Sequence, residues 1–263
     1  MLMTDALAVT ALYRYPVKGL SPEPLDGTEL TPGDPLPHDR RYAIENGPSP
    51  FDPAAPVHLA KIHFLMLMRN AALARLESRF DPQTTTLVVR EGDQEMVRGD
   101  LSTAEGRAAV EVFFASFSAA ELRGPPRILE APGFSFSDTK RRVVSIINLA
   151  TVRTLEQRIG APIDPLRFRG NLHVEGLPPW GEFDLVDREL TSAAGVRLRV
   201  VKRIDRCAAT NVDPVTGIRD LNIPQALMRA YDHVDCGVYA EVVTGGRLAV
   251  GDVLVPAWPA PPA

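Results

Sequence analysis

Cys207 is the side chain with the widest chemical range in this sequence, and it stands in the run Asp205-Arg206-Cys207-Ala208-Ala209-Thr210-Asn211-Val212-Asp213-Pro214. It follows the apolar stretch Val196 to Val201, with Arg203 and Arg206 close by, so it falls at a strand end in positive surroundings that favour the thiolate. A thiolate there can be a nucleophile, a redox centre or a soft ligand for a transition metal, and a small packed core residue is an equally open reading. Asp213-Pro214-Val215-Thr216-Gly217 is a turn signal that folds the chain back toward that strand end. Lys18 after Pro16, Arg40 after His38-Asp39, and Arg169 in Arg167-Phe168-Arg169-Gly170-Asn171 place three more cations at strand–loop junctions, where a single exposed cation usually does nothing specific. Of the histidines, His58, His63 and His173 lack metal-ligand spacing and read as surface or packing residues, and Cys236 before Gly237 reads as a small packing residue.

These residues must be held by strands. Leu7 to Tyr15, Leu25 to Thr31, Arg41 to Glu45 and Leu87 to Arg90 carry strand signals and are separated by turns such as Pro32-Gly33-Asp34-Pro35. Gly47 to Pro56 holds four prolines and reads as an irregular surface loop. Ser102 and Glu105 form a capping box ahead of Val110, Phe113, Phe114 and Phe117, which predicts a helix covering one side of a sheet. The pattern breaks at Gly124-Pro125-Pro126, giving expected domains of residues 1–127 and 128–263. Beyond it, Val143 to Ile147 predicts a buried strand and Asn148 caps a helix that Gly160 and Pro162 end. Asn171 to Glu175, Val196 to Lys202, Val238 to Val243 and Arg247 to Val255 are further strands, so a bent or closed β structure with a few covering helices is expected.

Composition narrows the function. With 263 residues, 45% hydrophobic and 24% charged, the chain suits an ordinary globular protein that needs no metal or disulfide merely to fold. A net charge of -4 argues against general nucleic-acid binding, and without an apolar run of membrane-spanning length or a leader pattern the expectation is a cytoplasmic protein with no membrane contact. Two distant cysteines do not supply an iron–sulfur cluster, so an internal ferredoxin-like domain is not expected.

Taken in order, Tyr15-Pro16-Val17-Lys18-Gly19, Phe168-Arg169-Gly170-Asn171, and Arg206-Cys207 followed by Thr210, Val212-Asp213-Pro214 and Gly217 resemble the MOSC family, which includes the mitochondrial amidoxime-reducing component and bacterial relatives. The resemblance implies a mixed α+β, β-rich fold, with an N-terminal β-barrel-like module and a C-terminal MOSC β-barrel with covering helices. It implies that Cys207 coordinates the molybdenum of a molybdenum–pyranopterin cofactor, and that Lys18, Gly19, Arg40, Asn148, Arg169, Asn171, Asp205, Arg206 and Tyr239 bind that cofactor. Asn148 serves equally as a helix cap, and animal relatives carry serine where Asp205 stands. Asp213 is assigned beside the metal cysteine, either orienting Arg206 or handling protons. The implied activity is reduction of N-hydroxylated compounds such as amidoximes and hydroxylamines. Electrons would come from a separate reductase or small electron carrier. The alternative from the same resemblance is a cofactor-carrying or sulfur-transfer protein with a persulfide on Cys207.

Overall fold

The first strand, β1 (Leu7–Arg14), turns Leu7, Val9 and Leu12 inward, and a β-bulge between Val9 and Ala11 restores the alternation that keeps Leu12 in the core. In the computed structural model, which describes residues 6–257, this strand is followed by β2 (Glu23–Leu25), β3 (Gly27–Leu30), β4 (Ala43–Glu45), β5 (Leu76–Asp81), β6 (Thr86–Glu91), β7 (Gln94–Asp100), α1 (Ala104–Phe117) and β8 (Arg127–Leu129). The second half carries β9 (Val144–Asn148), α2 (Leu149–Ile159), β10 (Leu172–Glu175), β11 (Glu189–Ser192), β12 (Arg197–Asp205), α3 (Ile223–Tyr231), β13 (Asp235–Thr244), β14 (Gly246–Ala249) and β15 (Val253–Pro256). The fold is mixed α+β and β-rich.

Seven strands close a barrel in the order β10-β9-β13-β12-β11-β15-β1, with β1 returning to β10 and β2 attached to the outer half of β1. All its pairings are antiparallel except β9 with β10, which α2 joins as a crossover. The interior is filled by Leu7, Leu12, Ile146, Leu172, Leu198, Val238 and Leu254, among others. The closing strand therefore comes from the opposite end of the chain to the six it completes. Gly176, just past β10, lies at φ +111°, and a Cβ there would meet the Ala6 carbonyl oxygen at 2.1 Å, so the chain passes β1 only with glycine at this point.

The first half adds a three-stranded sheet, β5-β6-β7, whose inner face takes Val110 and Phe114 of α1, and a short pair of β4 with β8. The helix starts one residue later than expected: Thr103 is its cap, accepting from Gly106 N at 3.0 Å, because Ser102 is already committed to Asp100 Oδ1. The proline-rich segment is tied down by buried Phe51 and by Glu45, a fully buried carboxylate that accepts from Ser49 N and Arg127. The predicted 25–31 strand is divided, β2 going to β1 and β3 to β14, and the predicted 247–255 strand is divided by the Gly251 turn into β14 and β15. Among the described residues no helix is long and apolar enough to cross a membrane.

His173 on β10 is 4% exposed, its ring 5.0 Å from that of Tyr13 and its Nε2 without a partner, and burial pushes its pKa down to about 4. An unfolded chain, with histidine near 6.5, binds the proton first as pH falls, so stability is full above that value and declines toward pH 4. Urea unfolding should show the wild type losing about 3 kcal/mol across this window relative to His173→Gln; equal pH dependence of the two proteins would refute the assignment.

Candidate functional site

The turn after β1 is held by Val17, which bridges to Tyr42, and by Lys18 N donating to Tyr42 O at 2.8 Å. Gly19 follows at φ +87°, where a Cβ would meet the Leu65 carbonyl oxygen at 2.8 Å; the close approach of segment 65–66 demands glycine. The buried Lys18 ammonium donates to Phe136 O at 2.8 Å and pairs with Asp138. Burial works against its charge and lowers its pKa, while the lysine holds Asp138 down to about 2 against that carboxyl's own burial.

Arg40 and Arg169 both adopt left-handed backbone, φ 49° and 52°, and bring their guanidinium carbons to 4.3 Å from the centroid of the buried Tyr15 ring. Arg40 pairs with Asp39 and donates to Arg169 O at 2.9 Å, and Arg169 donates to Leu20 O at 2.8 Å. Burial, with Arg40 beside it, lowers the Arg169 pKa to about 10 although Tyr15 and two aspartates work the other way. Asp39 Oδ1 accepts from Tyr15 N and from Asn171 Nδ2, and Asn171 Oδ1 in turn accepts from Ser145. The network joins the turn after β1 to the starts of β9 and β10.

At the end of β12, Arg206 donates to the carbonyls of Phe168 and Cys236, and Cys207 caps a single turn of 3-10 helix over Ala208–Asn211. Cys207 is half-buried. It shares a cavity of about 390 Å³ with Lys18, Gly19, Arg40, Arg169, Asn171, Asp205, Arg206 and Tyr239. Nine of the eleven sequence-predicted residues thus line one space.

The other two do not. Asn148 is fully buried beyond the cavity lining: its side chain accepts from Ala150 N and donates to Pro178 O and Glu182, so the capping role accounts for it. Asp213 accepts from Val215 N and Thr216 N, which outweigh its partial burial and lower its pKa, and it pairs at 3.2 Å with Arg167 rather than with Arg206. Arg167 also takes Asp220 bidentately at 2.8 Å, so this buried guanidinium anchors the loop that leaves Cys207.

Sequence reasoning took His58 for a surface or packing residue, and it missed Lys61, Met66 and Met68 from the first half and Asp39, Asp138, Arg167 and Lys202. Asp39 and Arg167 lay beside residues already singled out. The 58–68 segment carries no periodic signal, because its backbone is a single 3-10 turn between irregular stretches. The loop after Asp213 runs to Asn222, which caps α3, with Pro224 in the helix's first turn.

Seven cationic side chains line the cavity against three aspartates, in a chain of net charge -4. Among the described residues no three His, Cys, Asp or Glu gather to hold an ion, so a metal at Cys207 must bring most of its ligands with it. A soft sulfur side chain in a cavity lined by cations suits a sulfur-ligated metal on an anionic organic group.

Residues 6–123 match the MOSC N-terminal beta barrel domain and residues 133–255 match the MOSC domain. A molybdenum cofactor sulfurase of Caenorhabditis briggsae is 25% identical over 238 residues, covering 83% of this chain; the chain spans 31% of that protein's length. Among solved structures, the YUAD protein of Bacillus subtilis aligns over 97% of both chains with a TM-score of 0.47 and 14% identity. YiiM from Geobacillus stearothermophilus aligns over 44% of this chain and 54% of its own, with a TM-score of 0.35 and 18% identity.

The second cysteine, Cys236, is fully buried, and burial pushes its thiol up to about 12 despite Arg206 nearby. Iodoacetamide at neutral pH should therefore modify Cys207 and leave Cys236 at least tenfold slower, read by peptide mass mapping; equal labelling in native protein would contradict this geometry.

Proposed function

Because the chain belongs to the MOSC family in both of its halves, we propose that its cavity holds a molybdenum–pyranopterin cofactor through Cys207, and that the protein reduces N-hydroxylated compounds. The observation that carries the binding reading is the half-buried Cys207 in the wall of a cavity with seven cations and three carboxylates. The reaction rests on the resemblance of the ordered motifs to those of N-hydroxyl-reducing relatives.

The residues present fit the group. Arg169, its charge opposed by burial and by Arg40, gains from an anion brought against it, and two guanidiniums offer planar forks suited to a phosphate. Lys18 and Asn171 are held rigidly by Asp138 and Ser145 and present polar atoms to an organic ring system. Tyr239, with Lys202 Nζ 5.5 Å from its ring centroid, closes another side, and burial raises its pKa so that it stays a neutral hydroxyl. Molybdenum, when bound, supplies two-electron redox chemistry. The overall conversion cleaves the N–O bond, taking two electrons and two protons and releasing the amine or amidine and water. The chain's groups bind, orient and exclude solvent, and the electrons come from a separate reductase or small carrier acting in the cytoplasm.

The likeness to a protein named molybdenum cofactor sulfurase favours a second reading, in which Cys207 carries persulfide sulfur to or from the cofactor. Purification from a host that makes the cofactor, followed by molybdenum and pterin quantification, separates the two. Cys207→Ser should lose at least tenfold in bound molybdenum, and the wild type supplied with an artificial reductant should convert benzamidoxime to benzamidine. Full molybdenum in the serine variant would sink the ligand assignment; persulfide on Cys207 without metal would establish the second reading.

A further inference from the structure

Lys61 and His58 reach the cavity from the irregular segment ahead of β5, and nothing above gives either a task. We propose that Lys61, with His58 lining the same wall, is an anion-recognising group beside Cys207, and that the substrate taken there carries a carboxylate or an equivalent oxyanion. This deepens the reading of Cys207 as the reacting end of the cavity and rests on it.

The other cations are already engaged. Lys18 has Asp138 and Phe136 O, Arg40 has Asp39, Arg169 has Leu20 O, Arg206 has two carbonyls, and Arg167 has Asp213 and Asp220. Lys202 faces the Tyr239 ring. Among the described residues Lys61 makes no ion pair within 4.0 Å, and it lies close enough to the Cys207 thiol to share a hydrogen bond with it. His58 Nε2 is shielded from solvent and has no hydrogen-bond partner. A positive charge on the cavity wall with no carboxylate within 4.0 Å is a group that a ligand oxyanion would bond directly, and His58 lines the same wall beside it. The wall comes from the first half of the chain and the thiol from the second, so the pair is assembled only by the fold.

The test compares alkylation of Cys207 by iodoacetate and by iodoacetamide in the full chain made without cofactor. Both reagents attack the same thiolate, so its abundance cancels in the rate ratio and the charge preference remains. The wild type should favour iodoacetate at least fivefold over a small free thiol under the same conditions. Lys61→Gln and Lys61→Ala should remove most of that preference and Lys61→Arg little, with circular dichroism confirming the fold of each. An unchanged ratio in Lys61→Gln would overturn the proposal. In cofactor-loaded protein, Lys61→Ala should raise KM for a carboxylated N-hydroxy compound at least tenfold more than for its methyl ester; equal changes would also overturn it. Loss of the ratio in Lys61→Gln alongside full molybdenum in Cys207→Ser would leave the wall standing and remove only the metal reading.

Discussion

Closure of the seven-stranded barrel by β1 is the constraint on which the rest of this molecule depends. A sheet of six strands running from β10 to β15 would present two unpaired edges, and the strand that satisfies both is residues 7–14. Once β1 is fixed between β10 and β15, the turn at Tyr15 to Gly19 has one place to go, across the end of the barrel where β9 and β10 begin and the loop after β12 arrives. Lys18 and Gly19 are thereby brought into one cavity with Arg206 and Cys207 although the greater part of the chain separates them in sequence.

The same seam explains why the cavity is polar yet rigid. Most of its cations are fastened by backbone carbonyls, carboxylates or both, and two are held by carbonyls alone, Arg169 on Leu20 O and Arg206 on Phe168 O and Cys236 O. A guanidinium held by a carbonyl keeps its charge, whereas one held by a carboxylate does not contribute a net field. The wall consequently retains an excess of positive charge without losing order, and a ligand need not reorganise it on arrival. Arg219 performs a similar service outside the cavity, reaching from the loop after Cys207 to the carbonyls of Leu67 and Met68 and so joining that loop to the first half of the chain.

What could be read from the residues divides along physical lines. The strands that line the barrel announced themselves through β-branched and apolar runs, and the site residues attached to their ends, Lys18, Arg169, Asn171 and Cys207, were found with them. β5 escaped because Leu76, Ser78 and Phe80 face inward with a serine among them, too weak an alternation to stand out, and β11 because it is only four residues long. Lys61 escaped, and His58 was read only as a surface or packing residue, because an irregular backbone has no period to place a side chain. Asn148 shows the converse: one asparagine fits both a helix cap and a ligand, and only its hydrogen bonds decide between them.

The charge carried by the cavity has a reach beyond its own lining. Since the chain as a whole is acidic, the surface outside the cavity must be more so, and the molecule is polarised with its positive pole recessed at the seam. Field lines from a recessed pole framed by low-dielectric walls are focused outward through its mouth, so anions approaching at random are drawn toward the opening and repelled elsewhere. Capture of a negatively charged molecule then becomes a matter of long-range steering as well as of local fit, and its association rate falls as ionic strength shortens the distance over which the pole is felt.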